Sequence, residues 1–283
     1  MNGLVDLHSH SDQSDGSLTP EQLVDHAVAA GVSVLALTDH DTTAGHARFR
    51  AHARACGLVP VCGVEVSCTW DVKGGQCHLL GLGVAAGHPA LEAALTEIRG
   101  GRDRRNARMV EKLNALGYPV TLAEIEAVAG GEVVARPHFA RVLVERGLVE
   151  SYQAVFDTLL ARGAPAYVDR FRLSPADAAE LVVAAGGRPV IAHPAFLGLA
   201  GADLAAFLRG LLPHGLWGLE TWYTGFSNAQ ITEFKALADE LGLVATMGSD
   251  FHGAPKPGVI IGHRAPGVPL PGPCPPDLLA DAV

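Results

Sequence analysis

Residues 3–16 read GLVDLHSHSDQSDG, an apolar segment that ends in histidines and acids. Residues 3–8 predict a β-strand, and His8 and His10 stand at its end. Because side chains two residues apart on a strand point to the same face, these two imidazoles are placed to bind one metal ion. Asp15 follows in the next loop. The stretch therefore predicts a strand that carries metal ligands at its C-terminal end.

The rest of the chain repeats short apolar strands between helices. Strands are predicted at residues 3–8, 33–38, 58–66, 78–83, 189–192, 217–221 and 244–247. Their alternation with helices is typical of a parallel α/β sheet. Residues 88–162 predict helices without any strand between them. We therefore predict an α/β domain of residues 1–99 and 168–283, an all-helical insertion at residues 100–167, and an irregular tail after Ala265.

Residue types that bind metals follow most of these strands. Beyond the first strand they are Asp39, His40, Asp41, Glu65, His78, His193, Asp250 and His252. In an α/β barrel the C-terminal ends of the strands converge on one face, so these side chains are expected to be neighbours. A single His or Asp at a strand end is more often a turn or capping residue. The joint pattern predicts a metal site, because clustered carboxylates repel one another without cations.

Six motifs occur in order along the chain: DLHSHSDQSDG, LTDHD, GVE, CHLLG, AHP and GSDFH. Together, from residue 6 to residue 252, they resemble the motif set of the PHP (polymerase and histidinol phosphatase) family. The resemblance implies a distorted (β/α)7 barrel, a three-metal site and phosphoester hydrolysis. The helical insertion further resembles the stand-alone branch that contains 3′,5′-nucleoside bisphosphate phosphatases and 5′→3′ exoribonucleases. In that case the insertion contributes to substrate binding.

Carried over motif by motif, the resemblance implies a separate ligand set for each of three ions. The first ion is held by His8, His10, Glu65 and Asp250. The second is held by Glu65, His78 and His193, with Glu65 bridging the two ions. The third is held by Asp15, His40 and His252. Imidazole and carboxylate ligands without a thiolate suit Mn²⁺, Fe²⁺ or Zn²⁺, and among these we expect Mn²⁺.

Within this ligand set, Glu65, His193 and Asp250 are the predicted catalytic residues. A water that bridges two metals has its pKa lowered from about 15.7 toward about 7, which makes a hydroxide nucleophile at neutral pH. The predicted reaction converts a 3′,5′-nucleoside bisphosphate to the 5′-mononucleotide and phosphate. Asp6, Asp39 and Asp41 either orient ligand imidazoles or cap strand ends.

Candidates for substrate contacts lie outside the ligand set. Arg136 and His138 flank Pro137 at the start of a predicted helix in the insertion, where free N–H groups can bind a phosphate. An ordinary capped helix start is the alternative. Further candidates, each with a structural alternative, are a basic cluster (Arg102, Arg104, Arg105, Arg108), an aromatic group (Trp222, Tyr223, Phe226) and Lys256.

Composition limits the partners and the location. A net charge of −9 argues against the broad basic surface of a protein that binds extended DNA. We expect a small phosphorylated nucleotide as the substrate, with short RNA 5′ ends as the alternative. The N-terminus resembles no signal peptide, and no apolar run is long enough for a bilayer, so no membrane association is expected. Five cysteines without a CxxC pair favour a reducing compartment, the cytoplasm.

Three alternatives remain open. Amidohydrolases also begin with an HxH motif, but they often bridge their metals with a carbamylated lysine on a central strand, and no lysine lies on a predicted strand here. A non-catalytic PHP module is a second alternative, although every ligand position holds a suitable side chain. Histidinol-phosphate phosphatase is the third, and it differs only in its substrate.

Overall fold

The computed structural model describes residues 3–129, 134–265, 267–271 and 273–279. It contains a seven-stranded sheet in which spatial order follows chain order. The strands are β1 (Leu4–Asp6), β2 (Val32–Leu37), β3 (Val59–Ser67), β4 (His78–Leu82), β5 (Arg188–Ile191), β6 (Gly218–Tyr223) and β7 (Val244–Gly248). All seven predicted strands are confirmed.

The first and last strands meet, so the sheet forms a nearly closed barrel. The N–H of Leu7 donates to the carbonyl of Met247 at 3.0 Å, and the N–H of Asp250 donates to the carbonyl of His8 at 2.9 Å. Ser9 and Phe251 form a further parallel bridge just beyond the two strands. The predicted distorted (β/α)7 barrel is confirmed, and its closure brings residues 6–10 beside residues 247–252.

The parallel pairing that is typical of alternating strands and helices does not extend to one strand, β4. β4 runs antiparallel to both β3 and β5. The connection between β3 and β4, residues 68–77, is shorter than the dozen or more residues that a parallel crossover needs. As a result His78, the first residue of β4, pairs with Ser67, the last residue of β3. His78 therefore lies at the end of the barrel where the neighbouring strands finish.

Helices follow most of the strands along the chain, as predicted. The α-helices are α1 (Pro20–Ala29), α2 (His46–Ala55), α3 (Pro89–Ala115), α4 (Leu122–Ala129), α5 (Arg136–Glu145), α6 (Tyr152–Val155), α7 (Pro175–Ala184), α8 (Gly201–Leu211), α9 (Asn228–Leu241) and α10 (Pro276–Leu279). α1 begins as predicted at Thr19 and Pro20, because the Thr19 side chain accepts from the N–H of Gln22 in a capping box. Among the described helices, none combines the length and hydropathy needed to cross a membrane.

The C-terminal tail is more ordered than predicted. A short hairpin pairs β8 (His263–Ala265) with β9 (Val268–Pro269), and α10 follows it. Leu270 and Leu278 are buried in the apolar core of the barrel. The expectation of an irregular tail after Ala265 is therefore wrong for these segments, which contribute apolar side chains to the core.

The chain divides into two compact units. The barrel unit comprises Met1–Thr96 and Arg172–Val283, and the helical unit comprises Glu97–Phe171. Each has its own core of buried apolar side chains, with Leu80 and Val190 in the barrel and Phe139 and Leu143 in the helical unit. A substrate-binding role for an insertion at residues 100–167 stays a prediction.

Candidate metal centre

All nine predicted ligands belong to the barrel unit, and they lie at one end of its strands. Three residues at this end adopt positive φ angles without being glycine: Asp41 at 54°, His193 at 28° and Asp250 at 56°. Such angles are uncommon for side chains larger than glycine, and they cluster at active sites. The backbone in the turns after β2, β5 and β7 is thus strained at Asp41, His193 and Asp250, whose side chains are polar.

Glu65 lies at the centre of the cluster and is 1% exposed. Its Oε2 lies 3.2 Å from one nitrogen of each of three imidazoles, those of His8, His10 and His40. Its Oε1 lies 2.8 Å from Nδ1 of His78 and 3.0 Å from Nε2 of His193. One carboxylate therefore contacts imidazoles on both of its oxygens. That is the arrangement expected of a ligand shared between two ions.

Asp250 completes the first predicted ligand set. Its Oδ1 lies 3.5 Å from Nε2 of His8 and 3.3 Å from Nε2 of His10. With Glu65, these residues place four ligand atoms within 4.8 Å of one another. The structure thus brings together the four residues assigned to the first ion.

Asp15 and His252 form a second focus beside the first. Oδ1 of Asp15 lies 3.2 Å from Nε2 of His252 and 3.5 Å from Nδ1 of His10, and Oδ2 lies 3.6 Å from Nε2 of His40. His10 thus faces both Asp15 and the first ligand set. His40 likewise faces both Asp15 and Glu65. The nine residues form one continuous cluster, and their division among three ions stays a prediction.

Several buried atoms of the cluster make no hydrogen bond with the described residues. They are Nε2 of His8, Nε2 of His10, Nδ1 of His40 and Oε2 of Glu65. Buried polar atoms in folded proteins are almost always paired, so a convergent group of unpaired nitrogen and oxygen atoms needs an explanation. Imidazole nitrogens and carboxylate oxygens are the donor set of Zn²⁺, Mn²⁺ and Fe²⁺ sites. The residues present therefore fit divalent metal ions.

The electrostatics keep the carboxylates in the form that binds cations. Burial raises the pKa of Glu65, but the neighbouring imidazoles, above all His40, bring it well below its usual range. Burial likewise raises the pKa of Asp250. Neighbouring groups, above all the charge of His8, nevertheless bring the pKa of Asp250 well below its usual range. The pKa of Asp15 is lowered in the same way, chiefly by His40. These carboxylates stay ionised at neutral pH.

Glu220 is a buried part of the centre that the sequence reasoning missed. It lies in β6 with 0% exposure. Its Oε1 lies 3.0 Å from Nδ1 of His8, and its Oε2 accepts from the backbone N–H of His193 at 2.6 Å. Metal-binding histidines commonly donate their other N–H to a carboxylate, which fixes the ring and its tautomer. The available signal was a lone acid inside the apolar predicted strand at residues 217–221.

Two further residues act on the far oxygen of Asp250. The hydroxyl of Tyr223 donates to Oδ2 of Asp250 at 2.7 Å, and the ammonium of Lys256 donates to the same atom at 2.6 Å. Burial, reinforced by the charge of Asp250, raises the pKa of Tyr223, so its hydroxyl stays protonated and remains a donor. Together they fix the carboxylate with Oδ1 toward His8 and His10.

Asp6, Asp39 and Asp41 accept hydrogen bonds from backbone N–H groups and from serine hydroxyls. Asp6 accepts from the N–H groups of His8, Ser249 and Gly262 at 3.2, 2.9 and 2.7 Å. Asp39 accepts from the backbone and hydroxyl of Ser11 and from the hydroxyl of Ser14. Asp41 accepts from the N–H and hydroxyl of Ser67. The capping alternative describes these contacts better than imidazole orientation does.

The aromatic side chains at the end of β6 and in the turn after it belong mostly to the core. Tyr223 and Phe226 are 8% and 7% exposed, and Trp222 packs against the barrel core. These positions favour the packing alternative over base stacking.

The predicted phosphate contacts belong to the helical unit. Arg136 donates to the carbonyl of Leu160 at 3.3 Å, and its guanidinium lies 5.6 Å from the ring centre of Tyr167. His138 accepts from the N–H of Ala135 at 3.1 Å through Nδ1, as a helix-capping residue does. Both side chains have structural partners at the start of α5, and their contact with substrate stays a prediction.

The model of the PHP domain matches residues 6–161. The chain belongs to the PHP family. A 3′,5′-nucleoside bisphosphate phosphatase from Chromobacterium violaceum is 38% identical over 92% of this chain and 90% of that protein. The 5′-3′ exoribonuclease Rnm of Escherichia coli is 36% identical over 92% of this chain and 89% of that protein. The match to the PHP family and to these hydrolases establishes a metal-dependent phosphoesterase.

A solved structure from Chromobacterium violaceum, named as an amidohydrolase with bound sulfate, has a TM-score of 0.76 and 37% identity, covering 92% of this chain and 90% of that one. The lysine bridge of many amidohydrolases has no counterpart among the strands of this PHP protein. All four lysines are described, and they lie in loops or helices: Lys73, Lys112, Lys235 and Lys256. Glu65, whose two carboxylate oxygens both contact imidazoles, is the candidate for the bridging ligand.

Proposed function

We propose that this PHP protein removes the 3′-phosphate from nucleoside 3′,5′-bisphosphates, releasing phosphate and a 5′-mononucleotide. The observation that carries the proposal is the contact of Glu65 with five imidazoles, within a chain 38% identical to a bisphosphate phosphatase. The proposed metal ligands are His8, His10, Asp15, His40, Glu65, His78, His193, Asp250 and His252. The proposed cofactors are three divalent ions, with Mn²⁺ as the expected metal.

When bound, such ions activate water for attack on phosphorus and neutralise the charge of the phosphoryl oxygens. The protein's part is to hold the ligands in place. Glu220 fixes the ring of His8, which follows β1, and the backbone of His193, which follows β5. Tyr223 and Lys256 fix Asp250. The side chain of Lys256 is 39% exposed, so its ammonium also offers positive charge to an anionic substrate.

Arg136 and His138 are the proposed substrate contacts, and the support for them is their position in the first turn of α5, where a helix can bind an anion, together with the charge of Arg136 and the hydrogen-bonding capacity of His138. A cytoplasmic location is part of the same proposal and rests on the five unpaired cysteines. Short RNA carrying a 5′-phosphate is the second candidate substrate. The exoribonuclease of Escherichia coli, at 36% identity, supports that candidate.

A phosphate-release panel tests the proposal. The protein is loaded with Mn²⁺ and assayed with adenosine 3′,5′-bisphosphate, a short 5′-phosphorylated RNA and histidinol phosphate, while the products are separated to show which bond breaks. We expect the highest kcat/KM with the bisphosphate, and 5′-AMP as its product. A higher kcat/KM with RNA or histidinol phosphate would refute the substrate assignment and leave the metal centre intact.

A further inference from the structure

Three potential metal ligands converge between helices α1 and α2, outside the metal centre. Asp25 lies in α1, His52 lies in α2, and Cys56 directly follows the last residue of α2. Nε2 of His52 lies 2.7 Å from Oδ1 of Asp25 and 3.7 Å from Sγ of Cys56. The three ligand atoms all lie within 4.8 Å of one another. None of these residues contributes to the catalytic proposal.

The geometry distinguishes a metal site from a nucleophilic relay. In a relay the imidazole contacts the nucleophile through one ring nitrogen and the carboxylate through the other. Here the same nitrogen, Nε2 of His52, faces both the thiol of Cys56 and the carboxylate of Asp25. Three donor atoms therefore surround a common point, as ligands around an ion do.

The spacing is close to that of a tetrahedral zinc site. Zn–N bonds of about 2.0–2.1 Å and a Zn–S bond of about 2.3 Å separate nitrogen and sulfur by about 3.6 Å in a tetrahedron. The observed distance between His52 and Cys56 is 3.7 Å. The same geometry separates nitrogen and carboxylate oxygen by about 3.3 Å. On zinc binding, the distance between Oδ1 of Asp25 and Nε2 of His52 therefore has to increase from 2.7 Å to about 3.3 Å. The Asp25 side chain is 63% exposed, and an exposed side chain can make that movement.

We propose that Asp25, His52 and Cys56 bind one Zn²⁺ ion, with water as the fourth ligand. On binding, the thiol of Cys56 releases its proton to solvent and its sulfur forms the bond to zinc, so no electrons are transferred. Thiolate selects Zn²⁺ over Mn²⁺ or Mg²⁺. This preference separates the site from the metal centre, whose predicted ligands contain no sulfur. The ion links α1 to α2 on the barrel unit.

Cobalt spectroscopy tests this site without interference from the metal centre. Co²⁺ is added to the full chain, and the near-ultraviolet band of thiolate-to-cobalt charge transfer is recorded. Because no cysteine belongs to the predicted metal centre, that band reports on a thiolate outside it, and the Cys56→Ser variant assigns the band to Cys56. We expect the band in the unaltered protein, its loss on addition of Zn²⁺, and its loss in Cys56→Ser.

Two further variants test whether His52 and Asp25 bind the ion together with Cys56, or whether Cys56 binds it alone. His52→Ala and Asp25→Asn should each weaken cobalt binding at this site at least about tenfold, since even losing an outer-sphere partner of a metal ligand costs 10–100-fold. His214→Ala is the matched control, because His214 pairs with Glu180 at the same 2.7 Å but belongs to no ligand group in the described residues. No band in the unaltered protein, or a band that survives Cys56→Ser or His52→Ala, would overturn the proposal.

Discussion

The barrel unit and the helical unit bury different kinds of side chain. At one end of the barrel the interior contains histidines and carboxylates in mutual contact, including His8, Glu65 and Glu220. In the described part of the helical unit the buried polar side chains are Arg105 and Asn106, and the remaining interior is apolar. A cluster of charged groups is costly to bury unless its members are paired or bind cations.

This contrast indicates where each kind of change should act. In the barrel, replacing a buried carboxylate removes a charge that holds the metal ligands in place. Such a change should reduce enzymatic activity more than it reduces the free energy of unfolding. In the helical unit, truncating a buried apolar side chain leaves a cavity. Such a change should reduce the free energy of unfolding more than it reduces enzymatic activity. Variants of buried residues in each unit, compared with exposed controls, test that division.

Glu65→Gln is expected to have the largest effect. The amide keeps the size of the side chain but removes the charge shared by five imidazoles. We expect phosphate release to fall by more than about 100-fold, beyond the range for losing a residue that only supports a ligand, and bound Mn²⁺ to fall with it. Glu180→Gln, which changes an exposed carboxylate, is the control. Normal turnover with normal metal content in Glu65→Gln would rule out a bridging carboxylate.

Phe139→Ala tests the helical unit. Phe139 is fully buried in its apolar core, and removing such a ring typically costs about 3–5 kcal/mol of unfolding free energy. Urea unfolding measures the loss. Phe171→Ala is the matched control, because Phe171 is 45% exposed and its truncation should change stability by only about 0.5 kcal/mol. Similar losses in the two variants would contradict an apolar core as the main source of stability.

Glu220→Gln tests the support of the ligands in the barrel. The amide can still accept from the N–H of His193, but it no longer offers a charge to the ring of His8. We expect Mn²⁺ affinity to fall about 10–100-fold, measured from the Mn²⁺ dependence of phosphate release. Saturating Mn²⁺ should restore kcat, in contrast to Glu65→Gln. Glu240→Gln, an exposed residue paired with Arg209, is the control. A loss of kcat that saturating Mn²⁺ does not restore would contradict a positioning role.

The sequence predicted the strands and the nine clustered side chains because each motif directly follows or begins an apolar run, and barrel strands end on one face. The antiparallel direction of β4 was not predicted from the alternation of strands and helices, although the short connection at residues 68–77 was a signal that could have indicated it. Glu220 was missed for a different reason. Its partners, His8 and His193, are distant in sequence, and only the closed sheet brings them within hydrogen-bond distance.

The smallest expected effect concerns charge in the helical unit. Glu124 accepts from the N–H and the hydroxyl of Thr121 at 2.7 and 2.8 Å in a capping box at the start of α4. These hydrogen bonds lower the pKa of Glu124 from its usual 4.5. A pKa depressed by folding adds stability above the unfolded value, and that contribution is lost as the pH falls below it. The stability difference between the unaltered protein and Glu124→Gln should therefore shrink between pH 7 and about pH 3 in urea unfolding. A difference that stays constant with pH would show that the charge of Glu124 does not stabilise the cap. A difference as large as that of Phe139→Ala would show that ionic contacts contribute more to the helical unit than its apolar core implies.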